Sequence, residues 1–153
     1  MIRFATQKDV AQINVIRKQV NDLHVEGEPK VFRGFVKEIA EHIKEFLTAE
    51  DKQVIVYEED SKILGYAMIQ FTIKPQTPYR FEQKYVDVQE LGVLEGIRSK
   101  GYGKMLIEKI KEVAKERGFN RLELNVWSFN KRALNFYDKL GFETYREYLR
   151  IDV

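Results

Sequence analysis

Between Arg98 and Lys104 the chain reads Arg-Ser-Lys-Gly-Tyr-Gly-Lys, with three cations, two glycines and no carboxylate until Glu108. Gly103, Leu106, Ile107, Ile110, Val113 and Ala114 recur at helical spacing, which predicts a helix over Gly101–Arg117 stopped by Gly118. The cations therefore sit at its beginning. That end of a helix is positive and usually carries Asp or Glu. Cations there repel the dipole unless an anion lies among them. Unpaired N–H groups of a first turn, approached across glycine, complete the kind of site that takes a phosphate. It is not a Walker loop: with Gly103-Lys104 in the last positions, Arg98 falls on the first glycine and Met105 on the hydroxyl. Nor is it a dinucleotide fingerprint, because Leu106 stands at the third glycine and no early βαβ unit precedes it.

A second irregularity lies just upstream, in a strand expected over Tyr85–Leu94. Val86 and Val88 share one face by even parity, whereas Leu91 and Val93 continue the alternation on odd parity. The phase slips by one residue around Gln89-Glu90, as a β-bulge makes it do. A bulge splays its strand and leaves backbone groups that water or a ligand must satisfy. Two carboxylates, Asp87 and Glu90, flank the slip.

The elements that must position these residues follow from periodicity. A strand over Ile2–Ala5 leads to Thr6, which opens a helix with Asp9 three residues on, as in a capping box. Val10, Ile13, Ile16, Val20 and Leu23 continue that helix until Gly27 and Pro29. Phe32, Phe35, Val36, Ile39, Ile43, Phe46 and Leu47 predict a second amphipathic helix. Gln53–Glu58 and Ile63–Lys74 read as a hairpin, and Pro75 and Pro78 bound a loop bearing Tyr79 and Phe81. After the helix at Gly101, a strand is expected over Leu122–Val126 and a helix over Asn130–Leu140. Two short strands then follow, near Glu143–Tyr145 and Tyr148–Ile151. This order predicts an α/β (α+β mixed) fold with a mixed, mostly antiparallel sheet and helices on both faces.

Composition sets the bounds. At 153 residues, 44% apolar and 33% charged, the chain is expected to form one domain over 1–153. No apolar run approaches a membrane span, and the start lacks the core of a signal peptide, so a cytoplasmic protein is expected. The absence of cysteine excludes a thiolate nucleophile, a Cys-ligated zinc and a disulfide scaffold. His24 and His42 stand in no metal-binding or triad motif, so no metal is expected. A net charge of +2 gives no reason to expect nucleic acid. The charge is uneven: Arg98–Arg121 is basic, and Asp22–Asp60 leans acidic.

The pattern R-x-x-G-x-G after a strand ending Leu91-Gly92-Val93 resembles the acyl-CoA loop of the GNAT superfamily of N-acetyltransferases. Asn130, Ala133, Tyr137, Gly141 and Phe142 keep the register of that family's second signature. The resemblance implies a GNAT-like sheet with a bulged, splayed strand near residues 85–94, and acetyl-CoA as cofactor. It implies that Leu91 and Val93 bond the pantetheine arm. Arg98, Ser99, Lys100, Gly101, Tyr102, Gly103 and Lys104 would cradle the pyrophosphate. Asn130 would meet the cofactor arm, and Tyr137 would stand near the sulfur to protonate the leaving thiolate. The implied activity is acetyl transfer to a primary amine, of a small molecule or a peptide, by direct attack in a ternary complex. An ammonium must lose a proton before it attacks, and Glu90, Asp87 or an ordered water is left as the base. Gln89 stands where some members carry a glutamate. A CoA-binding regulatory or sensor module without turnover is the alternative. Many relatives pair through late strands, so a homodimer is among the expectations.

Overall fold

The structure is a computed structural model and describes residues 1–153. Its centre is a five-stranded sheet in the sequential order β1 (Ile2–Phe4), β2 (Lys52–Glu59), β3 (Lys62–Lys74), β4 (Gln83–Val93), β5 (Leu122–Glu123). The first four strands pair antiparallel, and β5 runs parallel to β4. The hairpin turn at Asp60 and Ser61 puts both residues at positive φ, as a tight two-residue connection requires.

Two apolar layers flank the sheet, one per face, because the strands alternate. Ile55, Ala67, Ile69, Phe71, Val86 and Val88 point to one side. There they meet Leu106, Ile107, Ile110 and Val113 of α3 (Tyr102–Glu116). Val54, Val56, Tyr66 and Met68 point to the other side, onto Ile13 and Ile16 of α1 (Val10–Gly27) and Ile43 and Phe46 of α2 (Lys37–Thr48). The last helix, α4 (Lys131–Lys139), lays Phe136 and Tyr137 against the α3 layer. No helix is long and apolar enough to cross a membrane.

Three departures from the sequence pattern have physical reasons. The second helix begins at Lys37 rather than near Phe32. Phe32 and Phe35 have helical spacing but are held in the preceding loop. The Phe32 ring packs on His24 and Trp127, Phe35 lies 5.6 Å under the Arg17 guanidinium, and Asn21 Nδ2 donates to the Arg33 carbonyl at 3.0 Å. The strand expected over Leu122–Val126 pairs only at Leu122 and Glu123, opposite Val86 and Asp87, because β4 veers away past its bulge. The strands expected at Glu143–Tyr145 and Tyr148–Ile151 do not form: residues 143–153 join no sheet and make no backbone hydrogen bond.

Candidate active site

The slip in β4 is a bulge at the expected place. Val88 pairs with Ile69 and Glu90 with Met68, so Gln89 is the extra residue. Beyond it, Leu91 rejoins the α3 layer while Gly92 turns toward α1. A side chain at Gly92 would meet the Tyr66 ring at 2.7 Å and Val20 at 2.9 Å. The missing side chain lets Tyr66 lie across β4 and reach Glu90.

Glu90 is engaged from both sides. Its carboxylate accepts from Arg17 Nε at 2.8 Å, Arg17 Nη2 at 3.0 Å and the Tyr66 hydroxyl at 2.9 Å. The Arg17 side chain is 1% exposed and also donates through Nη1 to the Ile39 carbonyl at 2.8 Å. This buried, fork-like pairing joins α1, the start of α2 and the bulge. Burial, and then the Glu90 charge, hold the Tyr66 phenol well above the ordinary range, so it stays protonated. Burial pushes Tyr137 up to about 12. It keeps its proton at neutral pH.

Asp87 has the opposite surroundings. It is half-buried on the face away from Val86 and Val88, beside Gln70 and Gln89, and across from Glu123 on β5. Its only hydrogen bond is a long one, 3.5 Å from Gln89 Nε2. Burial first, and the facing Glu123 charge second, raise its pKa above the usual carboxylate range. Of the two flanking carboxylates, Asp87 is poised to take a proton, and Glu90 is committed to its ion pair.

The loop from β4 to α3 gathers backbone donors and cations. Ser99 and Gly101 have φ of +72° and +85°, which turns the main chain into a concave arc. No backbone N–H from Arg98 to Lys104 donates to an acceptor within the protein. Lys100 and Lys104 lie on this arc, and Arg132 of α4 reaches it, with Nη2 3.4 Å from Ser99 Oγ. Arg98 bends back instead, and its Nε donates to the Val93 carbonyl at 3.2 Å. The two glycines differ in use. Gly101 faces open space, whereas a side chain at Gly103 would strike the Phe136 ring at 2.9 Å. Gly103 thus serves the packing of α4 on α3. The Tyr102 ring packs at a tilt of 41° against Tyr57, 4.6 Å between centroids, tying the helix start to the sheet. Asn130 caps α4, its Oδ1 accepting from Ala133 N at 3.1 Å.

On the α1 side, a cleft of about 230 Å³ is lined by Gln19, Asp22, Leu23, Glu26, Glu95 and Arg98. Tyr79 and Phe81 stand out in solvent on the loop after β3 and line none of this. No group of three or more His, Asp or Glu side chains is placed to hold a metal ion. Sequence reasoning missed Arg17, Tyr66, Glu123 and Arg132. Arg132 carried the one usable signal, a cation two residues after Asn130. The other three meet the site only through cross-strand and interhelical packing.

A profile of the acetyltransferase (GNAT) family matches residues 18–142. An uncharacterized N-acetyltransferase of Chlorobaculum tepidum is 30% identical over 80% of this chain, and the match covers 65% of that protein. A thialysine N-epsilon-acetyltransferase of Bos taurus is 28% identical over 56% of this chain and 47% of its own length. The chain thus spans less than two thirds of the length of these curated relatives. Among solved structures, a tetramutant of the BH1408 protein from Bacillus halodurans superposes with a TM-score of 0.93 at 28% identity, covering 100% of this chain and 99% of that one. Aminoglycoside N-acetyltransferase AAC(6')-Iy, solved in complex with CoA, has the same fold, with a TM-score of 0.74 at 17% identity over 100% of this chain and 98% of that one. With the profile matching residues 18–142, most of its length, the chain belongs to the GNAT acetyltransferase family.

Proposed function

We propose that the protein transfers an acetyl group from acetyl-CoA to a primary amine. The observation that carries this reading is the arc of unpaired N–H groups from Arg98 to Lys104, with Lys100, Lys104 and Arg132 around it, opening beside a strand splayed from its neighbour. The arc fits a pyrophosphate: its donors converge, its charge is positive, and a Cβ at Gly101 would meet nothing within 4 Å. Leu91 and Val93 present the strand edge to the pantetheine arm, and Asn130 flanks its path. Bound acetyl-CoA supplies an activated thioester and a thiol leaving group.

The chain's own residues handle the protons. Asp87, raised by burial and Glu123, accepts the ammonium proton of the acceptor, so that the amine arrives at the splay with a free lone pair. Glu90 does not compete for that role, because Arg17 and Tyr66 use both its oxygens. It fixes the bulge whose backbone borders the reacting carbonyl. Tyr137 keeps its proton at the phenolic oxygen and offers it to the sulfur. Asp22, Glu26 and Glu95 along the α1 cleft favour a cationic acceptor.

The test combines a thermal-shift titration with a thiol-release assay over a panel of primary amines. Acetyl-CoA at a hundred times its Kd is expected to add about 2.7 kcal/mol of stability. At least one diamine or lysine-like amine is expected to release thiol stoichiometrically with acetyl-amine. No stabilisation at millimolar acetyl-CoA would sink the reading. Stabilisation without thiol release on any amine would return the chain to a CoA-sensing role.

A further inference from the structure

The extra residue of the bulge has a side chain with chemistry of its own. Gln89 is exposed and lies on the same face as Asp87. Its Nε2 donates to Gln70 Oε1 at 2.7 Å and, at a long 3.5 Å, to Asp87 Oδ2. Gln70 in turn donates through Nε2 to Asp51 Oδ2 at 3.0 Å. Asp51 Oδ1 lies 3.6 Å from Lys52 Nζ. Four side chains, from just before β2, from β3 and from β4, thus form one line: Asp51, Gln70, Gln89, Asp87.

A glutamine amide has a donor end and an acceptor end of nearly the same shape. The carboxylates at the two ends of the line decide which way each amide faces. The Gln70 bond holds the Asp51 carboxyl below its usual range, so it is ionised and can only accept. Gln70 must turn its NH2 to Asp51 and its Oε1 to Gln89. Gln89 must then turn its NH2 to Gln70 and Asp87. Gln89 Oε1 is left with no partner in the chain. A neutral acceptor atom therefore stands beside the Asp87 carboxylate, on the residue that makes the bulge. Gln89→Glu would set an oxygen against Gln70 Oε1 with no hydrogen between them.

We infer that Gln89 holds the acceptor amine while it reacts, and that Gln70 and Asp51 position Gln89 for this. The inference deepens the acetyl-transfer reading and rests on it. An ammonium at the bulge gives one N–H to Asp87 and another to Gln89 Oε1. Asp87 takes its proton. Gln89 cannot take one, so it keeps its N–H and retains the neutral amine while the lone pair turns to the thioester carbon. A carboxylate alone grips the ammonium and loses that grip on accepting the proton.

Steady-state thiol release with n-butylamine, a diamine and lysine amide tests it, alongside thermal-shift titration with acetyl-CoA. Gln89→Leu is expected to raise the KM for the amine about tenfold, the weight of one hydrogen bond, with kcat moved far less. The Kd for acetyl-CoA should stay within a factor of two. Gln70→Leu is expected to raise the amine KM severalfold by itself and to add nothing when combined with Gln89→Leu. Asp51→Ala should act as Gln70→Leu does. Asp51→Asn, which keeps an acceptor oxygen without the charge, should restore KM to within a factor of two of wild type. Equal effects of the two Asp51 variants would mean charge steering and overturn the inference. An amine KM unmoved by Gln89→Leu, or additive effects of the Gln70 and Gln89 variants, would overturn it too. Should Gln89→Leu misfold by circular dichroism, the two Asp51 variants decide. A wild-type chain that releases no thiol with any amine removes the acetyl-transfer reading and this inference together. An active wild type whose KM these variants leave unmoved removes this inference alone.

Discussion

Asp87 and Glu90 are three positions apart on one strand, yet their surroundings are opposite in charge. Glu90 is paired with a buried guanidinium, and Asp87 faces another carboxylate. Asp87→Asn is expected to lower kcat by about a hundredfold or more while the Kd for acetyl-CoA stays within a factor of two, checked by thiol release and calorimetry. The acid limb of the wild-type pH–rate profile should lie above the ordinary carboxylate range and be absent in the variant. The stability sign is also fixed. A raised folded pKa means that the charged form costs stability at neutral pH, so the variant should melt higher than wild type there. That advantage should shrink as pH falls through the Asp87 pKa. A residue with a merely structural role would not lose activity and gain stability together.

At the scale of elements, the bulge is the feature that makes room. It depends on Gly92, whose missing side chain admits Tyr66 across β4. Gly92→Ala should cost about 1–3 kcal/mol by overpacking against Tyr66 and Val20, measured by urea denaturation. It should also weaken the Tyr66–Glu90 bond. Much of this was legible in the sequence. A parity slip between Val88 and Leu91 is visible in a list of letters, because strand period is local, and so is a run of cations leading into a helix. Phe32 and Phe35 misled for the same reason: helical spacing is also local, but their partners His24, Trp127 and Arg17 are not. The strands expected at Glu143–Tyr145 and Tyr148–Ile151 do not form. Whether a pattern forms a strand depends on a neighbour, and none stands beside residues 143–153 within the chain.

For the whole molecule, the sheet's far edge is fastened by charge as well as by the packing of Ile2 on the core. Arg3 of β1 donates to both oxygens of Asp9, at 2.8 and 2.9 Å, and to Glu58 of β2 at 2.9 Å. Asp9 also accepts from Thr6 N at 2.7 Å, the capping contact expected where α1 is entered. Arg3 holds the Asp9 carboxyl down at about 2, against the penalty of burial. A depressed folded pKa stabilises fully above the unfolded value near 4, and the stabilisation is lost as pH falls from there toward 2. Asp9→Asn should therefore cost about 2 kcal/mol at neutral pH, the size of a hydrogen-bonded charge pair. Melting curves of variant and wild type should converge in strong acid. A gap that persists at pH 2 would assign Asp9 a packing role instead.

Gln89 is one residue too many, and its removal shows what it is for. On both sides of it the faces already agree: Val88 lies toward α3, Glu90 toward α1 and Leu91 toward α3. Deleting Gln89 would leave every core contact in phase and join the two halves of the β3–β4 ladder without a break. The shortened strand would also run straight alongside Leu122–Val126, and the gap between them would zip shut. The shorter chain would make the more regular sheet and lose the opening beside β4. The price of the opening is thus one unpaired residue.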